Sequence, residues 1–387
     1  MDLMLYFDPV NFDSLKGEQH LHRESLGATL EKQSANIQFS GRKKPSLALW
    51  GIGPRKGARK RGYIHAPDQV RKALYQLSNF SAALRMVDLG NLKSGKAGKD
   101  ILFAARDVTD YLREQGIVSI FLGGDQDLSV GIARAFRGLR EFTFTAVDCR
   151  IDLKSGREAT NDTNFISKLL QENPQLFHLQ TIGIQAHFSP PSNYAFLSEK
   201  TFDHMPLRAY RDNPANAEPL LRNSHFVSFD MSAIRFGDAP GTRAQSPTGL
   251  SAEEACLIGR YSGLSSRLSV FGLFGLITEN DVSGVTAKLA AQIVWYFMEG
   301  HSFRKADDPA SDRTHFSTFF VETEKESENL TFYHQAVTNR WWIELQPAEG
   351  ISWILGCSQE DYATAARGEI PEIYWKYFRK TELYLKY

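Results

Sequence analysis

The side chains best placed for chemistry in this 387-residue sequence are acidic, and they fall at the ends of apolar runs. Asp125 follows IVSIFLGG, Asp148 follows FTFTAV and Asp230 follows HFVSF. If those runs are strands, the three carboxylates crowd one edge of a sheet, which is where open α/β sheets take their ligands. Cys149 stands beside Asp148, but no His lies in the adjoining sequence to draw off its proton. It is therefore read as a packed strand-end residue, not a nucleophile. Cys149, Cys256 and Cys357 are too far apart for a zinc spacing and odd in number for a disulfide framework. The basic loop GPRKGARKRG, with Arg55, Lys56, Arg59, Lys60 and Arg61, has the charge to bind phosphate or nucleic acid. It lacks interleaved aromatic residues and is read as solvated. Gly123-Gly124 opens G-G-D-Q-D, which is missing the third glycine of a dinucleotide fingerprint. Trp341-Trp342 is read as packing a small C-terminal sheet onto the main domain.

The elements that must hold these residues follow from periodicity. SLALWGI (46–52), RMVDLGNL, IVSIFLGG, EFTFTAV, FHLQTIGIQ, HFVSF and RLSVFGLFGLI are short apolar runs without polar alternation. APDQVRKALYQL (66–77), KDILFAARDVTDYLREQG, LSVGIARAF and GVTAKLAAQIVWYFMEG (284–300) carry apolar residues at helical spacing. Strands and helices alternate from about residue 46 to 300. The pattern predicts an α/β fold with a three-layer, doubly wound parallel sheet. Residues 1–45 form an N-terminal segment with a basic stretch at Gly41–Lys44. After residue 300, HSFRKADDPASDRTH reads as a linker. The rest of 301–387 reads as a small β-rich extension of two or three antiparallel strands, with a helix around Pro371–Lys380.

Lys+Arg and Asp+Glu each total 45, and a balanced charge argues against nucleic acid or acidic lipid as a general partner. No run of 18 apolar residues exists, so no membrane span is expected. The N-terminus, MDLMLYFDPV, has no basic start and does not read as a secretory signal. A cytoplasmic location is the expectation.

Three segments, taken together, resemble the ureohydrolase family of arginases, agmatinases and formimidoylglutamases. FLGGDQDLSVG (121–131) is similar to the family's G-G-D-H-S. AVDCRID (146–152) is similar to its D-A-H-x-D. VSFDMSAIRFGDAPGTRAQSPTGLSAEEA (227–255) is similar to its S-F-D-x-D, A-P-G-T-G-T-P and G-G-L-T series. GIGPRKGARKRGYIHAPDQVRKAL (51–74) and DVSGVTAKLAAQIVWYF (281–297) add its first strand–loop–helix and its last helix. The formimidoylglutamase-like branch of Bacteroidetes type looks most similar, sharing G-G-x-Q-D-L, S-F-D-x-x-A-I-R and a Trp-Trp tail. The resemblance implies an arginase-like fold over residues 46–300.

It also implies what the site has lost. Active members hydrolyse guanidinium or amidine groups with two Mn²⁺ ions bridged by hydroxide, and two His and four Asp hold the ions. Carried over by position, those six ligands are Gln126, Asp148, Arg150, Asp152, Asp230 and Ser232. Only the three Asp remain. Gln126, Asp148, Asp152 and Asp230 keep enough oxygen for one hard ion, Mg²⁺, Ca²⁺ or Mn²⁺. The second position instead meets Arg150, which stays protonated and has no lone pair for a metal. The expectation is that the Arg150 guanidinium replaces that metal by pairing with Asp148 and Asp230. Gly275 stands where the family has a substrate-binding Glu, and 153–165 contains no counterpart of its loop His.

A salt-bridge cluster with no cofactor is the first reading, one structural divalent cation the second and a catalytic centre the third. The functional expectation is a non-catalytic protein, a pseudoenzyme acting as scaffold, ligand sensor or binder of a protein partner or small molecule. The alternative is an active metal-dependent hydrolase of linear amidine or guanidine C–N bonds, of formimidoylglutamase, agmatinase or arginase type, with a rebuilt single-metal site. A further alternative places the working surface in the extension, as a protein-interaction module. The resemblance implies a homo-oligomer unless the extension blocks it.

Overall fold

The computed structural model describes residues 2–11, 15, 21–32, 37–41, 44–52, 65–80, 84–93, 95, 100–154, 156, 158–305, 307–323, 329–348 and 351–385. The basic loop with Arg55, Lys56, Arg59, Lys60 and Arg61 lies outside them, as do Arg42 and Lys43.

Two short strands, β1 (Phe7–Asp8) and β2 (Glu31–Lys32), precede the main series. That series is β3 (Leu47–Ile52), β4 (Met86–Leu92), β5 (Val118–Leu122), β6 (Thr143–Val147) and β7 (His178–Ile184). It continues with β8 (Asp203–Pro206), β9 (Phe226–Asp230) and β10 (Val270–Phe274). Every residue of β3, β5, β6, β7, β9 and β10 is buried, as unalternating apolar runs require when helices cover both faces. The sheet order is β1-β4-β3-β5-β10-β9-β6-β7-β8, with β2 on β4. All its pairings are parallel except that of β1 with β4. The chain leaves β5, crosses past two positions to lay down β6, and fills β9 and β10 later. The loops after β5, β10, β9 and β6 therefore stand side by side at one edge of the sheet.

The helices form where sequence chemistry starts and stops them. Ala252–Leu264 opens on a capping box, with Ser251 Oγ accepting from Glu254 N at 3.2 Å and Glu254 Oε2 accepting from Ser251 N at 2.7 Å. Val285–Ser302 begins after Gly284, and Asp281 accepts from the free first-turn amides of Thr286 and Ala287 at 2.9 and 2.8 Å. No helix of the described residues is long and apolar enough to cross a membrane.

The C-terminal extension is larger than its sequence suggests. It holds four antiparallel strands, not two or three: β11 (Ser317–Glu322), β12 (Asn329–Gln335), β13 (Arg340–Ala348) and β14 (Ile351–Cys357). Helices Gln359–Ala366 and Glu372–Leu385 follow. Its core joins Leu330, Phe332, Trp341, Ile343 and Leu355 to Tyr374, Tyr377 and to Phe177 of the main domain. Asn223 locks the two together. Its Nδ2 donates to Gly356 O at 2.9 Å and its Oδ1 accepts from Gly356 N at 2.8 Å. Beside it the buried Arg222 guanidinium stacks 4.3 Å over the Trp342 ring and donates to Cys357 O at 3.1 Å.

Candidate active site at the sheet edge

Each carried-over position lies at the C-terminal end of one of the four adjacent strands. Gln126 opens a single turn after β5. It is buried, and its amide nitrogen donates to Ser228 Oγ at 3.1 Å and Ser228 O at 3.3 Å. Its carbonyl oxygen Oε1 is buried without a hydrogen-bond partner among the described residues. An orphaned acceptor of this kind faces a place where a donor or cation is wanted.

Asp148 follows β6 and accepts from the Arg150 amide at 3.2 Å. Its carboxyl also shares a hydrogen bond with that of Asp152, which needs a proton between them. Asp230 ends β9 and caps the next turn by accepting from Ser232 N at 2.7 Å. Ser232 Oγ lies 3.9 Å from Cys149 Sγ. Burial, with the charge of Asp148 beside it, pushes the Cys149 thiol well up, so it stays protonated and unreactive.

The expected partners of Arg150 are corrected by the geometry. Its Nε lies 3.0 Å from Asp152 Oδ1, and neither Asp148 nor Asp230 forms an ion pair with it. The Nε–H is not aimed at that oxygen, so the contact is Coulombic rather than a formed hydrogen bond. The physical reason is reach. Arg150 and Asp152 lie two residues apart on the loop after β6, whereas Asp230 ends the neighbouring strand β9 and is held in its own turn by Ser232 N. Asp148 still acts on the guanidinium through space. Burial draws the Arg150 pKa down, and Asp152, then Asp148, Cys149 and Asp230, more than offset it.

Three buried carboxylates thus face one guanidinium, an excess of two negative charges if all ionise. Their acidity registers the imbalance. Burial, then the charge of Asp148, lifts Asp230 to about 7. The same two causes hold Asp152 well above the usual carboxylate range. Asp148 is raised by burial, with Arg150 opposing.

Gly275 is shaped by this cluster. Its φ is +81°, and its amide donates to Gly124 O at 2.9 Å. A Cβ built on it would come within 2.3 Å of Asp230 Oδ1. Positive φ and lack of room both exclude a side chain here, so no Glu fits without moving Asp230 or the backbone.

Two contacts at this edge were not read from the sequence. Arg243, in the loop after β9, pairs with Asp125 after β5 at 3.2 Å and with Asp162 after β6, tying three loops together. Thr248 Oγ1 donates to Gln185 Oε1 at 2.7 Å, joining the β9 loop to the end of β7. Arg243 lies inside the A-P-G-T-R segment. A cation in one strand-end loop with acidic residues in two others was the available signal.

A two-metal centre does not fit these residues, because one of its six carried-over ligand positions holds Arg150, a cation with no lone pair for a metal. Among the described residues, no three His, Cys, Asp or Glu side chains are arranged to hold a metal ion. The charge excess and the orphaned Gln126 oxygen suit one divalent cation. Asp152 would have to turn from Arg150 to complete its shell.

The family model described as the arginase family matches residues 45–299. A formimidoylglutamase of Salmonella arizonae is 22% identical over 264 residues, covering 64% of this chain and 83% of that protein. Among solved structures, the Bacillus subtilis formimidoylglutamase superposes with a TM-score of 0.64 at 18% identity, over 74% of this chain and 95% of that one. The Trypanosoma cruzi formiminoglutamase, solved with Mn²⁺, gives 0.62 at 18%, over 69% and 97%. The Thermoplasma volcanium agmatine ureohydrolase gives 0.57 at 20%, over 70% and 96%.

Proposed function

The chain belongs to the arginase family, and from that premise we propose that its sheet-edge site no longer runs two-metal hydrolysis and serves instead as a ligand-binding or scaffolding site. The observation that supports this reading is Arg150. Its guanidinium stands 3.0 Å from Asp152 in a ligand position, among three buried carboxylates. A guanidinium supplies positive charge but cannot coordinate a water oxygen and lower the water's pKa as a metal does. The closed space at Gly275 agrees, since the side chain that would grip a substrate guanidinium has no room.

The test is metal analysis joined to turnover. Protein dialysed against Mn²⁺ should hold at most one ion per chain. It should release no formamide, urea or ammonia from formimidoylglutamate, arginine, agmatine or guanidinobutyrate. Two ions per chain, or product from any of these, would end the reading.

A second reading keeps one divalent cation on Asp148, Asp152, Asp230 and the Gln126 oxygen. The excess of two negative charges and the orphaned Oε1 favour it. Such an ion, when bound, supplies Lewis-acid polarisation of a ligand oxygen. Mg²⁺ should then raise the melting temperature of the native chain and leave that of Asp148→Ala unchanged. Equal shifts in both would remove this reading.

A further inference from the structure

The far edge of the large sheet carries a cluster that the sheet-edge site does not use. His178 opens β7 and is fully buried. Its Nε2 lies 2.8 Å from Asp203 Oδ2 on β8, while its Nδ1 contacts Lys380 Nζ from the helix Glu372–Leu385. Asp203 fixes the tautomer. Nε2–H donates to the carboxylate, and the Nδ1 lone pair is left to accept from the lysine. Lys376, one turn earlier, donates to Asp203 Oδ1 at 2.8 Å and pairs with Glu372 at 3.0 Å.

Lys376 already ties this helix to the sheet through Asp203. Lys380 is a second amine with no carboxylate within 4 Å among the described residues. It is buried, and its Nζ sits 4.7 Å from the Phe202 ring centroid, 5.6 Å from Tyr377 and 5.9 Å from Phe177. Lys380, Phe177 and Phe202 help wall a mostly apolar cavity of about 620 Å³, with Leu170, Leu176 and Phe196. The groups acting on the amine are His178 from β7, Asp203 from β8, and Lys376 and Tyr377 from its own helix. Burial lowers Lys380 to about 7, and Lys376 adds to that against Asp203. Much of the amine is then neutral at physiological pH. With one N–H turned to His178, its lone pair is free on the other side.

We propose that Lys380, seated on the Asp203–His178 pair and walled by Phe177 and Phe202, is a reactive amine at a second site that takes an apolar aldehyde from the adjoining cavity as an imine. The amine nitrogen adds to the carbonyl carbon, and His178 Nδ1 relays an amine proton to the oxygen. The carbinolamine then loses that oxygen as water together with the two former N–H hydrogens, leaving C=N. No oxidant or reductant is consumed, and water reverses the step.

The full chain, treated with benzaldehyde and cyanoborohydride, tests this by trapping the imine as a stable secondary amine for peptide mapping. Lys380 should be labelled at least about tenfold faster than any other lysine, with a rate that rises through pH 7. Labelling no faster than at Lys154, which is 59% exposed, would overturn the proposal. Leu170→Trp, at a partly exposed cavity wall, should cut Lys380 labelling about tenfold at an unchanged melting temperature. Undiminished labelling in that variant would equally overturn entry through the cavity.

Discussion

Arg150 and the carboxylates around it set how stability depends on pH. Asp230 is lifted from 3.8 to about 7 by burial and Asp148. Between those values the native state keeps a proton that the unfolded chain has released. Its stabilising effect is full below pH ~4 and is lost as pH rises through 7, by up to about 4 kcal/mol. Asp230→Asn should therefore flatten the fall in urea-unfolding free energy between pH 5 and pH 8. An unchanged slope would mean that the carboxylates ionise freely. Arg150→Gln removes the cation facing three carboxylates, so its cost should be larger at pH 8 than at pH 5, reaching roughly 3 kcal/mol at the higher pH. Equal losses at both would show that the guanidinium acts by packing alone. The sequence made Asp148 and Asp230 legible because each ends an apolar run, whereas Gln126 and Asp152 were reached only through the resemblance to the family's motifs. It did not show which carboxylate Arg150 meets. That choice depends on how far the loop after β6 turns, which residue types do not encode.

At the scale of elements, the apolar runs were legible wherever both faces are covered. β8 was not, because Asp203–Pro206 is a polar, partly exposed edge strand with no hydrophobic period to read. β14 was missed beside a well-read β13, since ISWILGC joins its partner through a register shift near Ala348. The helix Ala252–Leu264 was also missed, because Gly259 and Gly263 face the neighbouring helix where large apolar residues would mark a stripe. Those small residues are a packing device. A Cβ on Gly263 would lie 2.0 Å from Phe297 O, and one on Gly300 would lie 2.3 Å from Arg260 O. The backbones of this helix and Val285–Ser302 touch at both places. Gly263→Ala gains helix propensity of about 1 kcal/mol but must push the helices apart. A net destabilisation of about 2–3 kcal/mol is expected in chemical denaturation. A variant as stable as the parent would show that the two helices can slide without cost.

At the scale of the whole molecule, the question is whether the extension is a rider or a part of the fold. Its contacts are of the kind found inside domains. Asn223 exchanges two hydrogen bonds with Gly356, Arg222 is buried against Trp342, and Arg340 reaches Glu218 at 3.0 Å. Phe177, just before β7, belongs to the extension's own hydrophobic cluster. These residues spread the contact across both sequences, which is why a composition change near residue 300 does not reveal how the extension docks. The chain carries its own reporter, because four of its six tryptophans, Trp341, Trp342, Trp353 and Trp375, lie in the extension. Asn223→Ala strands both backbone groups of Gly356 and should cost about 2–4 kcal/mol. If the extension folds with the main sheet, tryptophan fluorescence and far-ultraviolet circular dichroism must shift together to one lower midpoint. If fluorescence melts first while the dichroism midpoint stays in place, the extension undocks by itself and the sheet does not need it.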